Sequence, residues 1–178
     1  MRKNTTRWIC VNAMGIALFV VLALCVQMPV FENYYLCLGY AVLVVWAGFF
    51  GSVSGALTGS LGVVLYCLVT GGLRGMPGWA AGNLLIGLVL GRAMRRLDAP
   101  DVPLRDYILW MLEVMVVTAV AMLGVKSLTE CLLYGQPFAM RAAKNVYAFV
   151  ANTAVMWASL PAWALLRGQK AQILPDGV

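Results

Sequence analysis

The amino-acid sequence predicts an all-α integral membrane protein, a compact bundle of six transmembrane helices. Three observations carry that expectation. Of the 178 residues, 62% are hydrophobic and 11% charged, whereas a soluble domain carries about 25% charged residues. Apolar runs of spanning length follow one another from Trp8 to Leu166, with short polar seams between them. The basic residues concentrate on alternate seams, as the positive-inside rule requires of a chain that crosses a bilayer an even number of times.

A hydrocarbon core about 30 Å thick needs about 20 apolar residues per helix. Six runs fit: 8–26, 36–50, 52–70, 79–96, 107–126 and 145–166. All are apolar on every side, unlike the alternating strands of a membrane barrel. The first follows Arg2, Lys3 and Arg7. It exceeds the roughly 7–15-residue core of a signal peptide, and no A-x-A site follows it, so it reads as a retained span. The second and third runs are broken only at Gly51. A tight turn is expected there, because one unbroken helix would overshoot the bilayer. The fourth to sixth runs follow, separated by the polar stretch 95–106 and the loop 130–144.

This division leaves residues 1–7 as a cytoplasmic N-terminus, 8–167 as the membrane domain and 168–178 as a cytoplasmic tail. The inner side then holds Arg2, Lys3, Arg7, Arg92, Arg95, Arg96, Arg105, Arg167 and Lys170. The outer side holds Arg74, Lys126, Arg141 and Lys144. Both termini are therefore expected in the cytoplasm. The outer loops are 27–35, rich in aromatics; 71–78, rich in glycine and expected to be mobile; and 130–144, the longest. The inner loop 95–106, with prolines and mixed charges, is expected to be ordered.

Composition also narrows the function. The net charge is +6, but the basic residues form no single patch with interleaved aromatics, so nucleic acid is not an expected partner. There is no histidine, which removes the commonest metal ligand and general base. The five cysteines are scattered without C-x-x-C spacing and read as packing residues. Neither metal nor cofactor is expected. No paired intramembrane acids or nucleophile–base set is visible, so the chain is not expected to be an enzyme.

Several residues stand out. Gly51, Gly55 and Gly59 form one small-residue stripe and Gly87 and Gly91 another, the pattern of close helix packing in lipid. Ala13 and Ala17 present a small face on the first span. Asn83, Asn145 and Asn152 lie in the outer halves of their spans, where an amide must find a partner. Glu113 is the one acid well inside a span and is expected to pair with Arg92 across antiparallel helices. Lys126 and Glu130, spaced i, i+4, read as a solvated surface pair, or alternatively place Lys126 before an anionic ligand. A ligand pocket is expected at the outer ends. Phe31, Tyr34, Tyr35 and Trp79 would stack on a flat ring or lid the cavity, Asn83, Asn145 and Asn152 would read its polar edges, and Arg74 or Lys126 would meet any negative group; the alternative is that the aromatics only anchor the interface and the amides only bond between helices.

The basic N-terminus, the six-span plan, Ala13-Met14-Gly15-Ile16-Ala17, Leu38-Gly39-Tyr40-Ala41, Phe50-Gly51-Ser52-Val53-Ser54-Gly55 and Pro77-Gly78-Trp79 together resemble the substrate-binding S components of energy-coupling factor transporters. The resemblance is to their riboflavin-type branch and spans about residues 12–166. It implies a six-helix substrate-binding subunit that captures a vitamin, riboflavin-like or another flat aromatic micronutrient, from outside. It implies docking of a transmembrane T component on Ala13 and Ala17, and ATP hydrolysis by two cytoplasmic ATPases. This chain itself carries no G-x-x-x-x-G-K-[ST] loop. The third span departs from the branch pattern: Val64-Leu65-Tyr66-Cys67 offers neither histidine nor acid, which leaves the vitamin open. The other reading of the same residues is a structural scaffold of the cell envelope without transport activity.

Overall fold

The computed structural model describes residues 2–25, 27–31, 34–99 and 101–168, with side chains described from Thr5 to Cys25 and from Leu36 onward. Helix α1 (Arg2–Cys25) leads into an antiparallel hairpin of β1 (Gln27–Phe31) and β2 (Tyr34–Cys37). Helices α2 (Gly39–Thr70) and α3 (Met76–Ala93) follow, and a 3-10 turn (Met94–Asp98) ends α3. Helix α4 (Leu104–Ala119), a π-helical stretch (Val120–Lys126) and α5 (Ser127–Tyr134) run on without a break, and α6 (Phe138–Arg167) closes the chain. The expected first outer loop, 27–35, thus carries a small β-hairpin.

Four helical segments are long and apolar enough to cross a membrane: Thr5–Cys25, Gly39–Thr70, Leu104–Tyr134 and Phe138–Arg167. The chain is therefore a helical, multi-pass membrane protein. The six expected runs do not map one to one onto helices. Residues 36–50 and 52–70 belong largely to one element, and α3, interrupted by Asn83 and Arg92, falls outside the strongly apolar group.

Gly51 explains the fusion. Its φ of 85° and ψ of −174° break the helical path inside α2, in a region that side chains with a Cβ avoid. A Cβ added to Gly55 would lie 2.7 Å from the Cβ of Ala47, although a straight helix would separate these positions by about 12 Å. The arms 39–50 and 52–70 therefore fold back against each other. The expected turn is present, made by one glycine within an otherwise continuous run of helix.

Close approach explains the other glycine stripe. A Cβ on Gly87 would meet the backbone N of Ala56 at 2.4 Å, and one on Gly91 would meet the Cα of Ser52 at 2.3 Å. Helix α3 thus lies on the second arm of α2 backbone to backbone. Without water to drive apolar faces together, such contact is the main source of helix association in lipid. Phe19, Tyr40, Leu43, Ile86, Leu90, Trp110 and Trp163 fill the interior. Val53, Val69, Leu128, Val150 and Leu165 point outward.

Helix α1 is held by one face. Gly15 faces Trp46 and Thr58 so closely that a Cβ would clash with both, and the Trp46 indole donates to the Val11 carbonyl at 3.0 Å. The opposite face, with Ala13, Met14, Ala17 and Val21, is exposed.

The turns at the hairpin end are tighter than expected. Gly71 and Gly135 end their helices in left-handed conformation, the usual glycine stop. The expected loop 130–144 shrinks to 135–137, because helix continues to Tyr134 and resumes at Phe138 after Pro137. The expected mobile loop 71–78 is shortened too. Pro77 sits in the first turn of α3, where its missing N–H costs nothing, and Gly78 is buried against the Lys126 backbone, 2.9 Å from its carbonyl if a Cβ were added.

At the opposite end, Glu113 pairs with Arg96, not with Arg92. The 3-10 turn carries Arg96 past the end of α3 and over the first turns of α4. The side chains are 43% and 35% exposed, so this is a surface pair and not the buried one expected. Arg167 ties the polar stretch down by donating to the carbonyls of Leu97 and Ala99.

Candidate functional site

Buried charge gathers at the hairpin end. The π-helical stretch Val120–Lys126 delivers Lys126 into the protein interior, and the Ser127 hydroxyl donates to the Met122 carbonyl five residues back, at 3.2 Å. π-Helix is rare and recurs at functional sites. Glu130 lies one turn beyond Lys126 on the same face, and Arg141 reaches it from the first turn of α6. Lys126 Nζ is 3.8 Å and Arg141 Nε 3.0 Å from the Glu130 carboxylate. Asn145 joins them: its Oδ1 accepts from Lys126 Nζ at 2.7 Å, and its Nδ2 donates to Ser127 Oγ at 2.9 Å. Lys126 is 9% exposed, Glu130 3% and Asn145 0%. The expectation of a solvated Lys126–Glu130 surface pair is therefore overturned. The continuation of helix to Tyr134 and the return of α6 enclose the pair.

A second polar group lies between α2 and α3. The Trp79 indole donates to the Tyr40 hydroxyl at 2.8 Å, which donates to Asn83 Oδ1 at 2.7 Å, and Asn83 Nδ2 donates to the Gly59 carbonyl at 3.2 Å. Tyr66 packs edge-on against Trp79, with ring centroids 5.6 Å apart. Every amide atom of Asn83 has a partner in helix α2, which makes this chain of bonds a brace between two helices.

The expected pocket residues thus fall into separate groups. Lys126 and Asn145 share the charged cluster. Trp79 and Asn83 share the brace, one helix away. Asn152 is buried two turns below Asn145, and its Oδ1 has no partner among the described residues. Arg74 is exposed and lies over the Tyr134 ring, 5.0 Å from its centroid, a contact that ties the 71–75 turn to α5. Phe31, Tyr34 and Tyr35 belong to the hairpin strands, and their side chains lie outside the described residues, as do Glu32 and Asn33. Ala13 and Ala17 stand apart from all of these on the free face of α1. Among the described residues no cluster of three or more His, Cys, Asp or Glu is placed to hold a metal ion.

Glu130, Arg141, Ser127 and Tyr40 were not singled out as site residues by the sequence reading. The available signal for the first two was charge next to apolar runs: Glu130 precedes Cys131-Leu132-Leu133, and Arg141 follows Phe138-Ala139-Met140. An acid and an arginine that share such surroundings are candidates for mutual burial.

Comparison with known proteins adds an independent finding. The model of the family described as ECF-type riboflavin transporter, S component, matches residues 3–160. A UPF0397 protein of Lactococcus lactis subsp. cremoris (strain NZ9000) is 32% identical over 99 residues, covering 54% of this chain and 53% of the relative. A UPF0397 protein of Streptococcus thermophilus (strain ATCC BAA-491 / LMD-9) is 30% identical over 100 residues, covering 55% and 54%. The chain spans about half the length of the curated relatives it matches. No solved structure matches it.

Proposed function

The chain belongs to the family of ECF-type riboflavin transporter S components, and from that premise we propose that it captures a vitamin or related micronutrient outside the cell. It then delivers the molecule inward together with a T component and two cytoplasmic ATPases. One observation carries the reading beyond the family match. An otherwise apolar membrane protein gathers its buried ions, and three of the four buried asparagines among the described residues, in the half beside the hairpin. Buried ionisable groups in lipid-embedded helices are costly and mark ligand or ion sites. Sites for small organic ligands are mostly apolar with a few convergent polar groups, and this end supplies such groups.

In this reading α2 contributes two passes, six in all, with both termini in the cytoplasm and the hairpin outside. Lys126, Asn145 and Asn152 line the pocket. Trp79, held by Tyr40 and Asn83, forms one wall. Phe31, Tyr34 and Tyr35 on the hairpin and Arg74 on the 71–75 turn close over the ligand. The exposed face of Ala13 and Ala17 receives the T component.

The test is direct. Protein purified from cells without added ligand is extracted, and any bound molecule is identified by mass. A vitamin-sized aromatic compound is expected, and its binding should quench Trp79 fluorescence. Ala13→Trp or Ala17→Trp should abolish co-purification with the T component while leaving that quenching intact. Reproducible absence of a small molecule, with normal assembly of both variants, would favour the envelope-scaffold reading instead. A cysteine placed at Asp101 and labelled only from outside the cell would invert the topology.

A further inference from the structure

The charged cluster holds two cations against one carboxylate. Lys126 and Arg141 both reach Glu130, so the described cluster carries an excess positive charge where solvent is scarce. Arg141 Nε lies 3.0 Å from the Glu130 carboxylate, but neither that nitrogen nor Glu130 Oε2 completes a hydrogen bond among the described residues. Among the described residues Glu130 is its one partner, so the two terminal guanidinium nitrogens, the fork that binds carboxylate or phosphate in two-pronged fashion, have none. The position compounds the charge. Arg141 lies in the first turn of α6, where the helix dipole disfavours a cation. Like charge and dipole both act against this half-buried arginine, and an arriving anion would relieve both. A neutral ligand would relieve neither.

The neighbours suit such a ligand. Asn145 follows Arg141 by one turn on the same face of α6, and Asn152 lies two turns further along it. Asn152 Oδ1 is buried without a described partner. One stripe of α6 therefore presents a guanidinium fork, then an amide already tied to Lys126, then an amide oxygen able to accept a donor.

We propose that Arg141 receives an anionic group, a carboxylate or phosphate, on the small molecule this protein captures, and that the nearby Glu130 charge keeps the guanidinium in place. This rests on the capture function argued above and assigns its substrate to the anionic class.

The experiment titrates the full chain, purified in neutral detergent, with acetate and with inorganic phosphate against chloride at constant ionic strength. Thermal unfolding is the readout. A saturable rise in the unfolding midpoint is expected with at least one of the two probes. Arg141→Gln should weaken the apparent affinity by about tenfold or more. Arg141→Lys, which keeps the charge and loses the fork, should fall between Gln and the parent. Arg96→Gln at the far end should titrate like the parent. No saturable rise in the parent, or an equal rise in Arg141→Gln, would overturn the proposal. A parallel arm uses nanodiscs of phosphatidylcholine with and without phosphatidylglycerol. If the anionic lipid alone saturates the response and abolishes competition by soluble anion, the group belongs to a headgroup and the substrate assignment fails. Co-purification of the parent with T component and ATPases is scored on the same preparations. A failed titration with intact assembly sinks the anion assignment alone, whereas failed assembly bears on the capture function.

Discussion

The two ends of the bundle use the same charges in opposite ways. At the hairpin end Lys126, Glu130 and Arg141 have side chains only 11%, 3% and 18% exposed. At the Gly51 end Arg96 and Glu113 are 43% and 35% exposed. An exposed pair contributes about 0–1 kcal/mol, because water competes for both partners. A buried cluster can cost more to assemble than it returns, yet losing one partner from it is severe. Charge at the Gly51 end thus fastens the surface, while charge at the hairpin end is kept despite its cost. The second kind calls for a functional explanation.

The same chemical change at both ends tests this contrast. Glu130→Gln should destabilise the protein by about 3–5 kcal/mol, since two cations are left facing each other in a low dielectric. Unfolding in detergent at fixed lipid content measures it. Asn83→Leu comes next. It strips the Tyr40 hydroxyl of its acceptor and the Gly59 carbonyl of its side-chain donor, a loss of about 1–3 kcal/mol, and it should loosen the Tyr40 hydroxyl that the Trp79 indole bonds, visible as a shift in Trp79 emission. Arg167→Gln should cost about 0.5–1.5 kcal/mol and speed amide exchange in residues 97–106, because the Leu97 and Ala99 carbonyls lose their tether. Glu113→Gln should be the mildest, at about 0–1 kcal/mol, and should diminish further in high salt. If Glu113→Gln proved as damaging as Glu130→Gln, the contrast between the ends would collapse.

Much of the fold was legible in the sequence. The apolar runs located the helices, the span limit placed a reversal at Gly51, and the small-residue rule identified the backbone contacts of Gly87 and Gly91. The exposure of Ala13 and Ala17 agrees with what the family resemblance implied for that face. The site was harder to read. A lysine and a glutamate at i, i+4 look the same whether water or protein surrounds them, and only the length of α5 and the entry point of α6 decide which. Those boundaries hinge on Gly135 and Pro137, two residues that also suit a long loop. The π-helical stretch has no distinctive composition, so the rotation it gives to Lys126 was invisible. Glu113 was assigned the wrong arginine because regular α-helix was assumed through 92–96, where a 3-10 turn advances Arg96 instead.

The reversal at Gly51 bears on how the protein is made. The arm 39–50 rises only about 18 Å at about 1.5 Å per residue, well short of a hydrocarbon layer about 30 Å thick. Such a segment is too short to be retained in the bilayer as it leaves the ribosome. Its stability there comes from the arm 52–70, which folds back along it and supplies the Gly55 and Gly59 contacts. In the six-pass arrangement proposed above, the first arm would wait at the translocon until the second has emerged, and the two would insert as one hairpin. A stalled chain ending near Gly55 should leave residues 39–50 outside the membrane, with only α1 anchored.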